Sequence, residues 1–295
     1  MIRYILNILL LFIFPVLMHA QKAGEHIHRP TPVNKPVNNL QKNEGLIKQN
    51  NNNQNQKPQQ GNTESIQQNT SDKVFTVNGV SFNMIYVEGG TFKMGSTTGD
   101  SDESPIHNVT LSNYSIGQTE VTQELWTAVM GSNPSHFLGD KLPVEQVSWD
   151  DCQTFIRKLN LMTGENFRLL TEAEWEYAAH GGNKSHGYKY AGSNTIGDVA
   201  WYNSNSGDKT HEVATKQPNE LGLYDMSGNV YEWCQDWYGD YSNSSQTNPT
   251  GTSTGSRRVI HGGSWFNDAE YCRSSNRNDG GPTRRDDILG LRLAL

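Results

Sequence analysis

Apolar and polar residues change rhythm several times along this chain. From Phe75 to Ser96 ("FTVNGVSFNMIYVEGGTFKMGS") they largely alternate. Alternation predicts strands, because successive side chains of a strand point to opposite faces. Asn78-Gly79 lies inside that stretch and is a strong hairpin-turn signal, and Gly89-Gly90 marks a second turn. His107 to Gly117 ("HNVTLSNYSIG") reads as one more strand pair. The period then lengthens to that of a helix. Thr122 caps "QELWTAVM", which stops at Gly131, and Ser148 caps "WDDCQTFIRKLNLM", which stops at Gly164. In the second helix Cys152, Phe155, Ile156 and Leu159 share one face. Thr171 to Glu174 form a capping box before "WEYAA", and Gly181-Gly182 end that helix. Beyond Gly182 no period stands out. Gly, Asn, Ser, Tyr and Trp dominate, which predicts long irregular loops. Little helix and much loop around a small core argue for an irregular α+β domain, not a sandwich or a βαβ sheet.

The two ends of the chain differ in kind. Residues 1–20 carry Arg3, an apolar run from Ile5 to Leu17, and the small residue Ala20. That order is the pattern of an export signal. The run is shorter than the roughly 18 to 20 residues a spanning helix needs, so cleavage is expected, leaving no transmembrane segment. Residues 21–72 are rich in Asn and Gln and poor in aromatics, a composition that cannot bury enough apolar surface to offset ordering entropy. They are expected to form a linker, leaving residues 73–295 as one domain. The expected location is secreted or periplasmic, with outer-membrane association as a variant. A net charge of −7 argues against nucleic acid and against anionic lipid. Three cysteines, Cys152, Cys234 and Cys272, are an odd number for an exported protein.

Seven motifs occur in order: "GGTFKMGS", "EVTQELW", "PVEQVSWDDCQTF", "RLLTEAEWEYAAHGG", "ELGLYDMSGNVYEWCQDWYG", "RVIHGGSW" and "ILGLRLAL". Together they span Gly89 to Leu295 and closely resemble the formylglycine-generating enzyme (sulfatase-modifying factor) domain family. The resemblance implies a loop-rich variant of the C-type lectin fold. It also implies a copper site made of two cysteines just after the Gly-Gly-Ser motif, because soft thiolates select Cu(I). Counted from Gly262-Gly263-Ser264, those two positions fall on Asn267 and Cys272; counted back from Arg277 the register shifts and Cys272 misses the site, and the pair is broken either way. Asparagine supplies no thiolate, so copper is not expected and no catalytic residue is assigned. A Cys234–Cys272 disulfide would fasten two loop-rich segments. A buried structural thiol and a catalytic thiol are the alternatives for Cys272.

The resemblance further places Asn229, Val230 and Glu232 where related enzymes bind calcium through side-chain and backbone oxygens. Hard oxygen donors suit that ion, and a turn asparagine with a hydrogen-bonded glutamate is the plainer alternative. The histidines are scattered and form no ligand triad. Trp265, Phe266, Asn267, Tyr271, Arg273 and Arg284 make a candidate ligand-binding surface, since aromatics and arginines are enriched at binding hot spots. Core scaffolding is the alternative for Trp265 and Arg277. The expected function is non-catalytic binding or scaffolding in a bacterial cell envelope, with an envelope protein or peptide as ligand. The alternative is an oxidoreductase of the family with an altered site.

Overall fold

The computed structural model describes residues 71–295. The expected export signal and all but the last two residues of the expected linker lie outside the described residues. In chain order the elements are β1 (Lys73–Val77), β2 (Val80–Val87), β3 (Thr91–Met94), β4 (His107–Thr110), β5 (Tyr114–Gly117), α1 (Gln123–Met130), α2 (Trp149–Thr163), β6 (Arg168–Leu169), α3 (Glu172–Ala179), α4 (Ile196–Val199), β7 (Tyr231–Trp237), β8 (Gln246–Thr247), β9 (Arg258–His261), β10 (Arg277–Gly280), β11 (Leu289–Gly290) and β12 (Leu293–Ala294).

The first hairpin forms where the turn signal places it. Asn78 and Gly79 both take positive φ, 49° and 85°, which suits the right-handed twist of the paired strands β1 and β2. β4 and β5 form as well, but not as a pair. β4 joins β3 in a three-stranded sheet with order β3-β4-β8, whereas β5 joins β2 in a five-stranded sheet with order β1-β2-β5-β12-β6. The expected His107–Gly117 strand pair is therefore corrected. The short link between the two strands carries the chain from one sheet to another.

The helices start and stop at their caps. Thr122, Ser148 and Thr171 each accept a backbone N–H from the first turn, and Gly131 and Gly164 end α1 and α2 in the left-handed conformation. The four residues on the apolar face of α2 are all buried, and Trp126 of α1 stacks on Phe155 at 4.9 Å. These helices pack with the first sheet over one core cluster that includes Leu159, Leu169 and Leu291. A second cluster lies around Trp175 and Tyr177 of α3.

The loop-rich half holds one more sheet, with order β10-β9-β7-β11. β7 is its spine and is buried along most of its length. Among the described residues no helix is long and apolar enough to cross a membrane.

Candidate functional site

The candidate site gathers where β9 ends. Gly262 and Gly263 turn the chain with φ of 100° and 71°. A Cβ on Gly263 would sit 2.7 Å from the Cys272 sulfur, so glycine there lets the turn close over the thiol. The turn is tied to the neighbouring loop by two bonds of 2.8 Å, from Gly228 N–H to Gly262 O and from Trp265 N–H to Asn229 O. Ser264 then donates its hydroxyl to Asn267 Oδ1 at 2.5 Å, and the Asn267 amide N–H returns to Ser264 O. Asn267 thus closes a turn with its side-chain oxygen already bonded.

Cys272 lies on the other side of that turn. It is fully buried, packed with Tyr190 and Val199, and burial pushes its thiol up to about 12. A thiol in that environment stays protonated and is a poor nucleophile and metal ligand. The expected disulfide is not formed: Cys152, Cys234 and Cys272 are all free and buried. The physical reason is that the three thiols belong to three separate apolar clusters. Cys152 lies with α1 and α2, Cys234 with α3, and Cys272 under the Gly263 turn.

The six residues of the candidate binding surface divide. Phe266 is 57% exposed and Tyr271 43%, so both face solvent. Asn267 is half-buried in its turn, and Arg284 is exposed and paired with Asp286. Two residues turn inward and correct the expectation. Trp265 is buried, donating its indole N–H to Asp287 O. Arg273 is buried and grips Glu103 with both guanidinium nitrogens, at 2.8 and 2.5 Å. Arg277, the other scaffolding alternative, is likewise buried on Glu172. The sequence offered no sign that the 136–138 loop joins this face. Phe137 meets the Trp265 ring edge-on at 5.4 Å, His136 packs on Phe137, and Leu138 is 75% exposed.

The residues proposed for calcium do not fit the ion. Asn229 accepts the His211 N–H with Oδ1 and donates its amide to Glu120 Oε2 at 2.7 Å. The Val230 N–H goes to the other Glu120 oxygen. Glu232 takes Arg292 on both oxygens, plus the Trp175 indole N–H at 2.7 Å. Both Glu232 oxygens are thus already taken by a guanidinium. Its other nitrogens reach Gly117 O and Tyr224 O, so the pair is fully hydrogen-bonded. Arg292 was missed in the sequence because it sits in an apolar run, "LGLRLAL", with no partner nearby in the chain.

Residues 71–295 match the model of the sulfatase-modifying factor enzyme 1-like domain. The chain belongs to this family. It is similar to the formylglycine-generating enzyme of Streptomyces coelicolor, with 28% identity covering 71% of this chain and 88% of that one. Identity is 39% to chaperone protein LppX of Paenibacillus barcinonensis, covering 66% and 83%. It is 33% to serine/threonine-protein kinase Pkn1 of Chlamydia trachomatis, of which this chain spans only 38%. Among solved structures, Treponema denticola variable protein 1 superposes with a TM-score of 0.71 at 40% identity, covering 76% of this chain and 98% of that one. The sulfatase-modifying-factor domain here is thus the loop-rich variant of the C-type lectin fold, and Cys272 is the one cysteine that follows its Gly262-Gly263-Ser264 motif.

Proposed function

We propose that this chain is a non-catalytic member of its family, acting as an exported binding or scaffolding protein in a bacterial cell envelope. One observation carries the reading. After the Gly-Gly-Ser turn, where the resemblance leads one to expect two thiolates, the Asn267 side-chain oxygen accepts the Ser264 hydroxyl and Cys272 is a lone thiol in an apolar cluster. One buried, protonated sulfur and an amide do not make a soft two-thiolate site. The names of the relatives, a chaperone protein and a variable protein, support a role in binding other molecules. The face for it is formed by Phe266, Leu138 and Tyr271, flanked by Asn267 and Arg284. Its occupant is an envelope protein or peptide.

Two experiments test this. Incubation with Cu(I), oxygen and a sulfatase-type cysteine peptide should leave the cysteine unconverted by mass spectrometry. Aldehyde product would return the chain to the oxidoreductases. In cells, a photo-crosslinking residue at Phe266 should give a discrete envelope adduct that the same residue at Leu161, exposed on α2, does not give. Identical patterns from both positions would remove the proposed face.

A further inference from the structure

A cavity of about 240 Å³ opens elsewhere on the domain, between the start of α3, the end of β7 and the 239–252 loop. Its wall includes Met94, Trp237 and Tyr241, and it carries three carboxyl groups, Glu172, Asp236 and Asp240. None of the residues lining it is lysine or arginine. Asp240, Ser242 and Thr252 are exposed and form the rim.

The three carboxyl groups are not equivalent. Glu172 is an ionised partner of Arg277, which bonds both its oxygens at 2.7 and 3.0 Å, and it also receives the Tyr241 hydroxyl. Asp240 is in water. Asp236 is 3% exposed, and its Oδ2 accepts the Glu172 backbone N–H at 3.1 Å. The one hydrogen bond to its side chain among the described residues goes to Oδ2; Oδ1 lies against Gly251, and both residues line the cavity. Arg258 is close enough to favour its charge. However, Arg258 lies over the rings of Trp149 and Trp237 and gives its N–H to Gln235 O, not to Asp236. Burial, then the Glu172 charge, push the Asp236 carboxyl up to about 8, with Glu174 adding to the same effect. His107 faces the same space, its Nδ1–H donated to Pro105 O.

We propose that this cavity binds a small organic ammonium ion, held by Asp236 Oδ1 with its carbon chain against Trp237 and Met94. A buried carboxyl group with a free oxygen and no cation bonded to it is completed by a positive donor. The wall offers Met94 and the ring edges to a carbon chain, since Arg258 already lies over Trp237 and Arg277 over Tyr241. A hard divalent metal ion, which seeks six to eight oxygens as calcium does, would find one buried carboxylate oxygen on Asp236 and otherwise only the exposed Asp240 at the rim. The volume lies below the roughly 300–1,000 Å³ of sites for drug-sized ligands, which suits a free alkylamine or the end of a lysine side chain.

The test titrates the full chain with n-butylammonium and, separately, with Nα-acetyl-lysine N-methylamide, read by amide chemical shifts of Trp237, Tyr241 and Gly251. Saturable shifts are expected, and 1-butanol and butyrate should not compete. Because the cation needs the ionised carboxylate, and burial raises the Asp236 carboxyl, affinity should be weaker at pH 6 than at pH 8 by about tenfold or more. H107Q should keep most of that dependence. D236N should abolish saturable binding in protein whose melting curve stays cooperative, and D240N should weaken it a few-fold. If D236N does not fold, the pH dependence of the unaltered chain decides. Binding of both probes points to a lysine side chain as well as free amines, and binding of butylammonium alone points to free amines. Binding of neither, or equal affinity at pH 6 and pH 8, overturns the proposal.

Discussion

At the scale of single residues, the chemistry of this domain is decided by what each polar atom already holds. The three thiols are buried in separate clusters, and burial pushes each of them up. We expect a thiol reagent such as dithionitrobenzoate to find none of them in the native protein within minutes, and all three after unfolding. Recovery of only one after unfolding would mean that a disulfide exists. Glu232 and Arg292 form a buried pair, so R292M should leave an uncompensated carboxylate and cost about 3–5 kcal/mol in urea unfolding. E232L combined with R292M should cost less than R292M alone, because the Glu232 carboxylate is removed along with its partner, leaving only Glu120 and Asp225 near the gap. Since Arg292 holds Glu232, EGTA should leave the melting temperature unchanged. A drop restored by calcium but not by magnesium would contradict the pairing seen here.

At the scale of elements, the helices carry their own boundaries. Thr171 and Ser148 each accept a first-turn N–H, and Glu174 and Asp151 return the bond to complete capping boxes. S148A and T171A should each cost about 1 kcal/mol, measured by denaturant midpoint with an unchanged slope. Strand β7 behaves differently. Its seven residues, "YEWCQDW", do not keep the alternation that reveals a strand, because five of them are buried and most of both faces is covered. β10 reads "RNDG", a polar and glycine-ended text that no strand propensity supports; it forms because β9 offers it a register of four residues. Much of the second half looked like loop for these reasons.

At the scale of the whole molecule, several carboxyl groups are buried without full charge compensation. Burial pushes Asp225 up to about 6, Glu145 to about 7 and Asp236 to about 8. In the unfolded chain such groups titrate near 4. Between those values the folded protein binds more protons than the unfolded one, so stability should fall as pH rises from about 4.5 to 8. Each group contributes at most about 1.4 kcal/mol per pH unit in its window. Glu172 works in the opposite sense: burial raises it, but Arg277 and His261 hold it below its usual value overall. Its contribution is present at neutral pH and is lost as pH falls through the folded value. Calorimetry should therefore show a maximum melting temperature in mildly acidic buffer and a decline toward pH 8. A rise from pH 5 to pH 8 would show that these groups are hydrated in solution.

The sequence by itself determined the features that depend on neighbours in the chain: the Asn78-Gly79 hairpin, the three capped helices, the buried face of α2 and the absence of a thiolate at Asn267. These are legible because turn chemistry, capping and helical spacing act over a few residues. Its ordered motifs also carried the family resemblance. Only the tertiary structure decided which distant groups meet. It brought Glu232 to Arg292 across 60 positions and Glu103 to Arg273 across 170. It placed Cys234 and Cys272 in different clusters, sent β4 and β5 to different sheets, and laid Phe137 against Trp265. A carboxylate or a thiol carries no local mark of its eventual partner. That choice is made by close packing and by the cost of leaving a buried polar atom unpaired, and both exist only once the chain has folded.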